Sequence, residues 1–285
     1  MANLTITLTG ANGDTIAFDD INYILTDGLK GFGIPATTLR IQPSAIDGGI
    51  FRHTKRGIRE VDLPIVTIGS SREDTEAKLR RLGNALNNYA GSARLTATYA
   101  DGSAFYLDVY YAGGGETIFG QQAGSTYAQW VVSLQAPIPF WTSLTAQTFT
   151  VTQSGTGRGL LPKLANLKLS STSAIGTVTV NNSVGDVPSY PVWKAYGPMD
   201  SLVINNTSAG FTYSVPITAG DVVTIDTYAG TVTNLAGTNV YSNLASAPKF
   251  FTIPPGISSF NVYGANVTSA TQISCSYYPR REVLH

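Results

Sequence analysis

Apolar and polar residues alternate with the period of half-buried β-strands along most of this 285-residue chain, and a single window shifts to the helical period. In the first half, Leu4–Leu8, Arg59–Ile68, Arg94–Tyr99, Phe105–Tyr111 and Tyr127–Leu134 read as strands. Ala100-Asp-Gly-Ser103 predicts a hairpin turn between two of them. Leu79, Leu82, Leu86 and Tyr89 fall on one helical face. Ser71, with Asp74 three residues on, predicts the N-cap and acidic first turn of that helix, and Gly91 its stop.

The second half reads as strands throughout: Leu164–Leu169, Gly176–Asn181, Pro191–Tyr196, Ser201–Asn205, Thr212–Pro216, Val222–Asp226, Thr231–Thr233, Lys249–Ile253, Phe260–Gly264 and Gln272–Tyr278. Turn residues separate them at the rhythm of a β-sandwich, and no fixed-length repeat points to a solenoid or propeller. In Asn181–Pro198, prolines exclude a helix and predict a strand entered through a turn. Its Tyr190, Trp193 and Tyr196 read as large side chains covering a sandwich core.

Charge divides the chain. Residues 1–145 hold 11 Lys/Arg and 13 Asp/Glu, and residues 146–285 hold 7 and 5. The shift follows Pro137-Ile-Pro-Phe-Trp141, and a polar linker, Gln153–Gly159, comes next. Two domains are expected, 1–145 and 146–285. The fold class is mainly β: an α+β domain with one covering helix, then a β-sandwich.

Composition narrows the function. Net charge is zero, so no global field steers the chain to nucleic acid or an acidic membrane. A lone Cys275 excludes an internal disulfide and a cysteine-built zinc site. The opening MANLTITLTG lacks the basic start and apolar core of a signal peptide, and no window is apolar enough to span a membrane. Asn-x-Ser/Thr matches, such as Asn266 with Thr268, read as chance in a Thr-rich chain.

Catalysis finds little support. His53 sits among Arg and Lys with no nucleophile elbow, and His285 is the final residue of the sequence. No histidine or cysteine cluster has metal spacing, so neither metal nor cofactor is expected. Asp186, Asp221 and Asp226 adjoin turns or strand ends and read as structural, not as a hydrolytic carboxylate pair. Gly155, Gly157 and Gly159 lack the Lys-Ser/Thr of a phosphate loop. The basic cluster Arg52, Lys55, Arg56 and Arg59 is followed by Glu60 and Asp62 without stacking aromatics. It reads as a solvated loop or a contact with a neighbouring subunit. Tyr228, Tyr241, Phe250 and Phe251 could stack on sugar rings, though core or interface packing is the favoured reading.

The order of motifs resembles the distal tail proteins of long, flexible-tailed (siphovirus-type) bacteriophages. The resemblance rests on Asn182 through Pro191, Gly197-Pro198, Ile204–Thr207, Gly220–Asp226, Pro255-Gly256 and Tyr278-Pro279-Arg280. In the first half it adds Gly31–Pro35, Asp47–Phe51, Arg59–Ile68, the helix and Ala136–Trp141. The chain departs from the family in the low charge and high Thr/Asn content of its second half. The resemblance implies a structural virion protein and no enzyme. The first domain would form the belt of a ring, commonly a hexamer, through which genome DNA passes without specific binding. The second would be a galectin-like β-sandwich. The hub would join the tail tube protein to tail-tip or baseplate proteins and a receptor-binding protein. It would be made in the host cytoplasm and reside at the tail tip of the virion. The alternative is a carbohydrate-binding tail adhesin that recognises the host wall.

Overall fold

The structure, a computed structural model, describes residues 4–18, 21–44, 46–115, 126–152 and 174–284. The expected strand Leu164–Leu169, the Gln153–Gly159 linker with its glycines, and His285 lie outside those residues. The chain divides into two compact units, Met1–Thr145 with Arg281–His285, and Ala146–Arg280. The final residues thus return to the first unit.

The first unit contains β1 (Thr5–Thr9), β2 (Thr15–Phe18), β3 (Tyr23–Leu25), β4 (Thr37–Pro43), β5 (Gly49–Arg56) and β6 (Arg59–Ile68). Helix α1 (Arg72–Ala85) and strands β7 (Ala93–Thr98), β8 (Ala104–Gly114), β9 (Tyr127–Ala136) and β10 (Trp141–Ser143) follow. An antiparallel sheet runs β2-β1-β7-β8-β9-β6-β3, with β10 added against β8. Its inward phase supplies Leu8, Val61, Leu63, Ile65, Leu95, Leu107 and Val132, all buried with Leu82 of the helix. The β7–β8 turn forms as expected: Gly102 takes φ 83°, and Asp101 accepts from the Ser103 amide at 2.8 Å.

Helix α1 begins as its sequence predicts, with Ser71 Oγ accepting from the Asp74 amide. It ends at Ala85, six residues before Gly91. Beyond it, Asn87 and Asn88 redirect the chain. Asn88 bonds both the amide and the carbonyl of Tyr111, at 2.9 and 2.7 Å, leaving Tyr89 fully exposed instead of on the helix face.

The second unit is a β-sandwich. Its strands are β11 (Gln147–Thr152), β12 (Ala174–Asn182), β13 (Val192–Tyr196), β14 (Ser201–Asn205) and β15 (Gly210–Tyr213). After them come β16 (Val222–Asp226), β17 (Thr231–Thr233), β18 (Gly256–Ala265) and β19 (Gln272–Tyr277). One sheet is β11-β19-β13-β16-β17 and the other β12-β18-β14-β15. Trp193, Ile204, Phe211, Ile225, Phe260 and Ile273 fill the space between them. Only Trp193 of the three spaced aromatics covers the core; Tyr190 is exposed and Tyr196 half-buried, because β13 alternates its faces. The expected strand Lys249–Ile253 forms no ladder: it makes the isolated bridge Ser189–Ile253 and one bond from the Lys249 amide to Gly210 O, since Pro248, Pro254 and Pro255 interrupt any longer pairing.

Candidate functional site

The basic cluster read as one loop is divided by the structure. Arg52, Lys55 and Arg56 lie on β5, and Arg59 opens β6. Arg59 is in phase with Val61, Leu63 and Ile65, so the pleat turns it inward, and it is buried within the first unit. In the single chain it therefore presents almost no side chain to the surface. Its Nε donates to Pro139 O, its Nη1 to Gly31 O and Gly33 O, and its Nη2 to Glu282 O, all at 2.5–2.6 Å. A planar fork suits this task because its donors diverge in one plane. Burial lowers the guanidinium pKa to about 10, against the opposing pull of Glu282.

Arg59 thereby ties together three distant stretches: Gly31–Pro35, Ala136–Trp141 and the returning C-terminus. Phe32 stacks on the buried Trp141 at 5.2 Å between centroids. The Leu284 amide donates to Phe32 O at 2.9 Å, and Arg281 lies 4.4 Å over the Phe105 ring. Two first-half motifs that carried the resemblance therefore meet around one cation.

Strands β4 and β5 form a two-stranded hairpin separate from the main sheet. Its residues are exposed along both strands, apart from a half-buried Arg56. Opposed residues of an antiparallel pair share a face. Pairing of Leu39 with Thr54, Ile41 with Phe51, and Pro43 with Gly49 makes one face apolar toward the turn. Pairing of Thr38 with Lys55, Arg40 with His53, and Gln42 with Ile50 makes the other predominantly basic and polar. A bulge between Arg40 and Ile41 leaves Arg52 as the extra residue of β5. Arg52 Nε reaches Gln42 Oε1 at 2.8 Å, placing it on the basic face beside His53. At the base, Arg56 bonds Thr37 Oγ1 and pairs with Glu282. The same C-terminal return that Arg59 binds thus braces the hairpin.

The outward face of β8 carries a groove of about 300 Å³ lined by Tyr106, Tyr110, Pro137, Ile138, Phe140 and Thr142. Arg94 closes one flank with a two-pronged pair to Asp108, at 2.8 and 3.2 Å, and stacks over Tyr106. The groove mixes aromatic and apolar side chains with the polar Ser92, Thr142 and Asp108, the last paired with Arg94.

In the sandwich, the suspected sugar-stacking aromatics have different roles. Phe251 is a core residue stacked on Phe260, and Phe250 packs on Phe211 and Tyr241. Tyr228 is exposed, edge-on to Tyr190, whose ring carries Arg280 at 4.8 Å. Tyr190, Asn206, Phe250 and Thr252 line a groove of about 400 Å³. Asp226 accepts from the Tyr228 and Ala229 amides, and Asp221 from the Val222 amide. Among the described residues no cluster of His, Cys, Asp or Glu could hold a metal ion, and no helix is long and apolar enough to cross a membrane.

Residues 184–280 match the family described as the siphovirus-type tail component, C-terminal domain. The fold is similar to that of the Dit protein of phage SPP1, described as a paradigm of the hub adsorption apparatus in phages infecting Gram-positive hosts. The TM-score is 0.66 at 11% identity, covering 96% of this chain and 98% of that one. It is also similar to a chain of the phage P2 baseplate in its activated conformation with calcium, at TM-score 0.56 and 10% identity, covering 99% of each chain. The strontium form of that baseplate gives the same values. No curated protein matches the sequence.

Proposed function

We propose that this chain, a siphovirus-type tail component by its C-terminal domain and its full-length fold, is a non-catalytic structural hub of a phage tail. Copies close into a ring, with six as the expected number. The ring joins the tail tube protein to the tail-tip or baseplate proteins, and through them to a receptor-binding protein. The observation that carries this reading is the joint match of residues 184–280 to the tail-component family and of both units to the SPP1 hub protein. The β4–β5 hairpin supports it. An exposed arm bearing Leu39, Ile41, Ile50 and Phe51 leaves apolar surface that a monomer has no use for. Head-to-tail contacts that close into a ring satisfy every such surface.

Light scattering on the purified full chain, with negative-stain images, tests the proposal. The expected result is a closed ring with a central opening; a monomer at high concentration refutes it. The adhesin alternative rests on the Tyr190–Tyr228 pair beside the sandwich groove. Glycan-array binding abolished by Tyr228→Ala would establish it.

A further inference from the structure

We infer that the sandwich groove between Tyr190 and Phe250 binds a neutral saccharide, an inference that rests on the adhesin reading above and is independent of the ring. The groove, about 400 Å³, lies in the usual size range of small-ligand sites. Tyr190 and Phe250 give it aromatic surface, and Asn206, Ser208, Thr227 and Thr252 give it amide and hydroxyl groups. That mixture matches a sugar ring, whose C–H faces pack on aromatic faces while its hydroxyls turn to polar side chains. Both aromatic rings are held before any ligand arrives. Tyr190 is braced edge-on by Tyr228 at 4.9 Å, and its ring carries the Arg280 guanidinium at 4.8 Å. Phe250 is braced edge-on by Phe211 at 5.5 Å and by Tyr241 at 6.2 Å. Rings ordered in advance spare the cost of ordering them on binding.

The polar atoms have fixed roles. Asn206 Oδ1 accepts from the Ser208 and Ala209 amides at 2.9 and 2.7 Å, which fixes the amide plane and leaves Nδ2 as a donor. Thr227 Oγ1 gives its proton to Pro191 O at 2.8 Å and keeps acceptor capacity alone. A donor and an acceptor at set places suit a hydroxylated ligand, since each sugar hydroxyl both donates and accepts. Two other occupants fit less well. An extended peptide needs a free strand edge, yet the main chain at the rim is already paired. Ser189 and Ile253 exchange both bonds at 2.9 and 2.8 Å, and the Asn206 amide reaches Ala209 O at 2.9 Å. An acidic or phosphate-bearing glycan needs a cation, and among the described residues that line the groove none is charged. Arg280, over the Tyr190 ring, commits Nε and Nη2 to Pro188 O at 3.0 and 2.6 Å.

The test presents the full chain to an immobilised panel of neutral glucose-, galactose- and N-acetylhexosamine-based oligosaccharides beside sialylated and glycerol-phosphate ones. Hits are then titrated by calorimetry. Neutral members are expected to bind. Tyr190→Leu removes the aromatic face, and Asn206→Asp keeps the turn acceptor while replacing the donor. Each should weaken a hit roughly tenfold or more, whereas Tyr190→Phe should match the parent. Urea midpoints establish that the variants fold. Tyr190 lies at the surface, so its Leu variant decides alone should Asn206→Asp unfold early. Hits confined to sialylated or phosphate-bearing members overturn the neutral class. Neutral binding that both variants leave unchanged overturns the groove assignment and leaves the adhesin reading intact. Binding to no member overturns both, and the ring reading stands or falls on its own light-scattering test.

Discussion

Replacing Arg59 by Met tests whether the first unit is organised around one cation. The variant keeps most of the side-chain volume and removes every donor to Gly31, Gly33, Pro139 and Glu282. A buried acceptor left without its partner costs about 1–3 kcal/mol. Four such losses do not add in full, because carbonyls relax and water enters. Removing the cation also relieves the desolvation that lowers its pKa to about 10. Hydrogen bonds to a charged donor are worth about 1.5–3 kcal/mol each, so with partial relaxation the expected loss here is about 3–5 kcal/mol in total. Hydrogen-exchange mass spectrometry reads each unit separately. Protected amides of β6, β7 and β8 should exchange roughly 10²- to 10⁴-fold faster. Amides of β13 and β19 provide the internal reference and should not change. Arg59→Lys should recover little, since one ammonium cannot reproduce a planar fork aimed at four carbonyls. An increase under roughly tenfold in the first unit, or a Lys variant indistinguishable from the parent, would refute the reasoning.

Three further outcomes follow from particular contacts. Removing Arg281–His285 deletes the Glu282 carbonyl, the Arg56 partner and the buried Leu284, so it should destabilise the first unit and leave the sandwich intact, as separate exchange profiles would show. Asp74 is held below its ordinary 3.8 by the Ser70 amide, then by Lys78 and the Ser70 hydroxyl. Its stabilising contribution is present above that value and lost as pH falls through the lowered one. The melting difference between the parent and Asp74→Asn should therefore shrink in acid; a pH-independent difference contradicts this. Gly197→Ala would place Cβ 2.1 Å from Thr218 O and 2.6 Å from Ile217 O. The resulting backbone shift should lower sandwich stability by about 1–3 kcal/mol in urea titration, and an unchanged midpoint argues against the clash.

The sandwich strands were legible because their alternation faces a real core: Val223 and Ile225, or Phe260 and Val262, are buried on the phase the sequence shows. The β4–β5 arm was not, because its alternation separates apolar from basic chemistry on a hairpin that contributes nothing to its own unit's core. The cations between residues 52 and 59 interrupt the apolar alternation of β5 and so mask the strand. Arg59 did carry a signal, its place two residues before Val61 on the inward phase of β6. Charge argued for the surface more loudly than phase argued for the interior. The early end of α1 depended on Asn88 finding the Tyr111 backbone, a contact twenty-three positions away that local spacing cannot encode. Nothing in Arg281–Leu284 announces that this stretch belongs with the first unit.

That C-terminal return means the backbone crosses between the units twice, after Thr145 and after Arg280. A single proteolytic cut at either crossing leaves the sandwich tethered by the other. A pulling force applied to the sandwich divides between two covalent lines. One of them runs into Glu282, whose carboxylate is held by Arg56 of β5 and whose carbonyl is held by Arg59 of β6, so tension on it passes directly to two strands of the first unit.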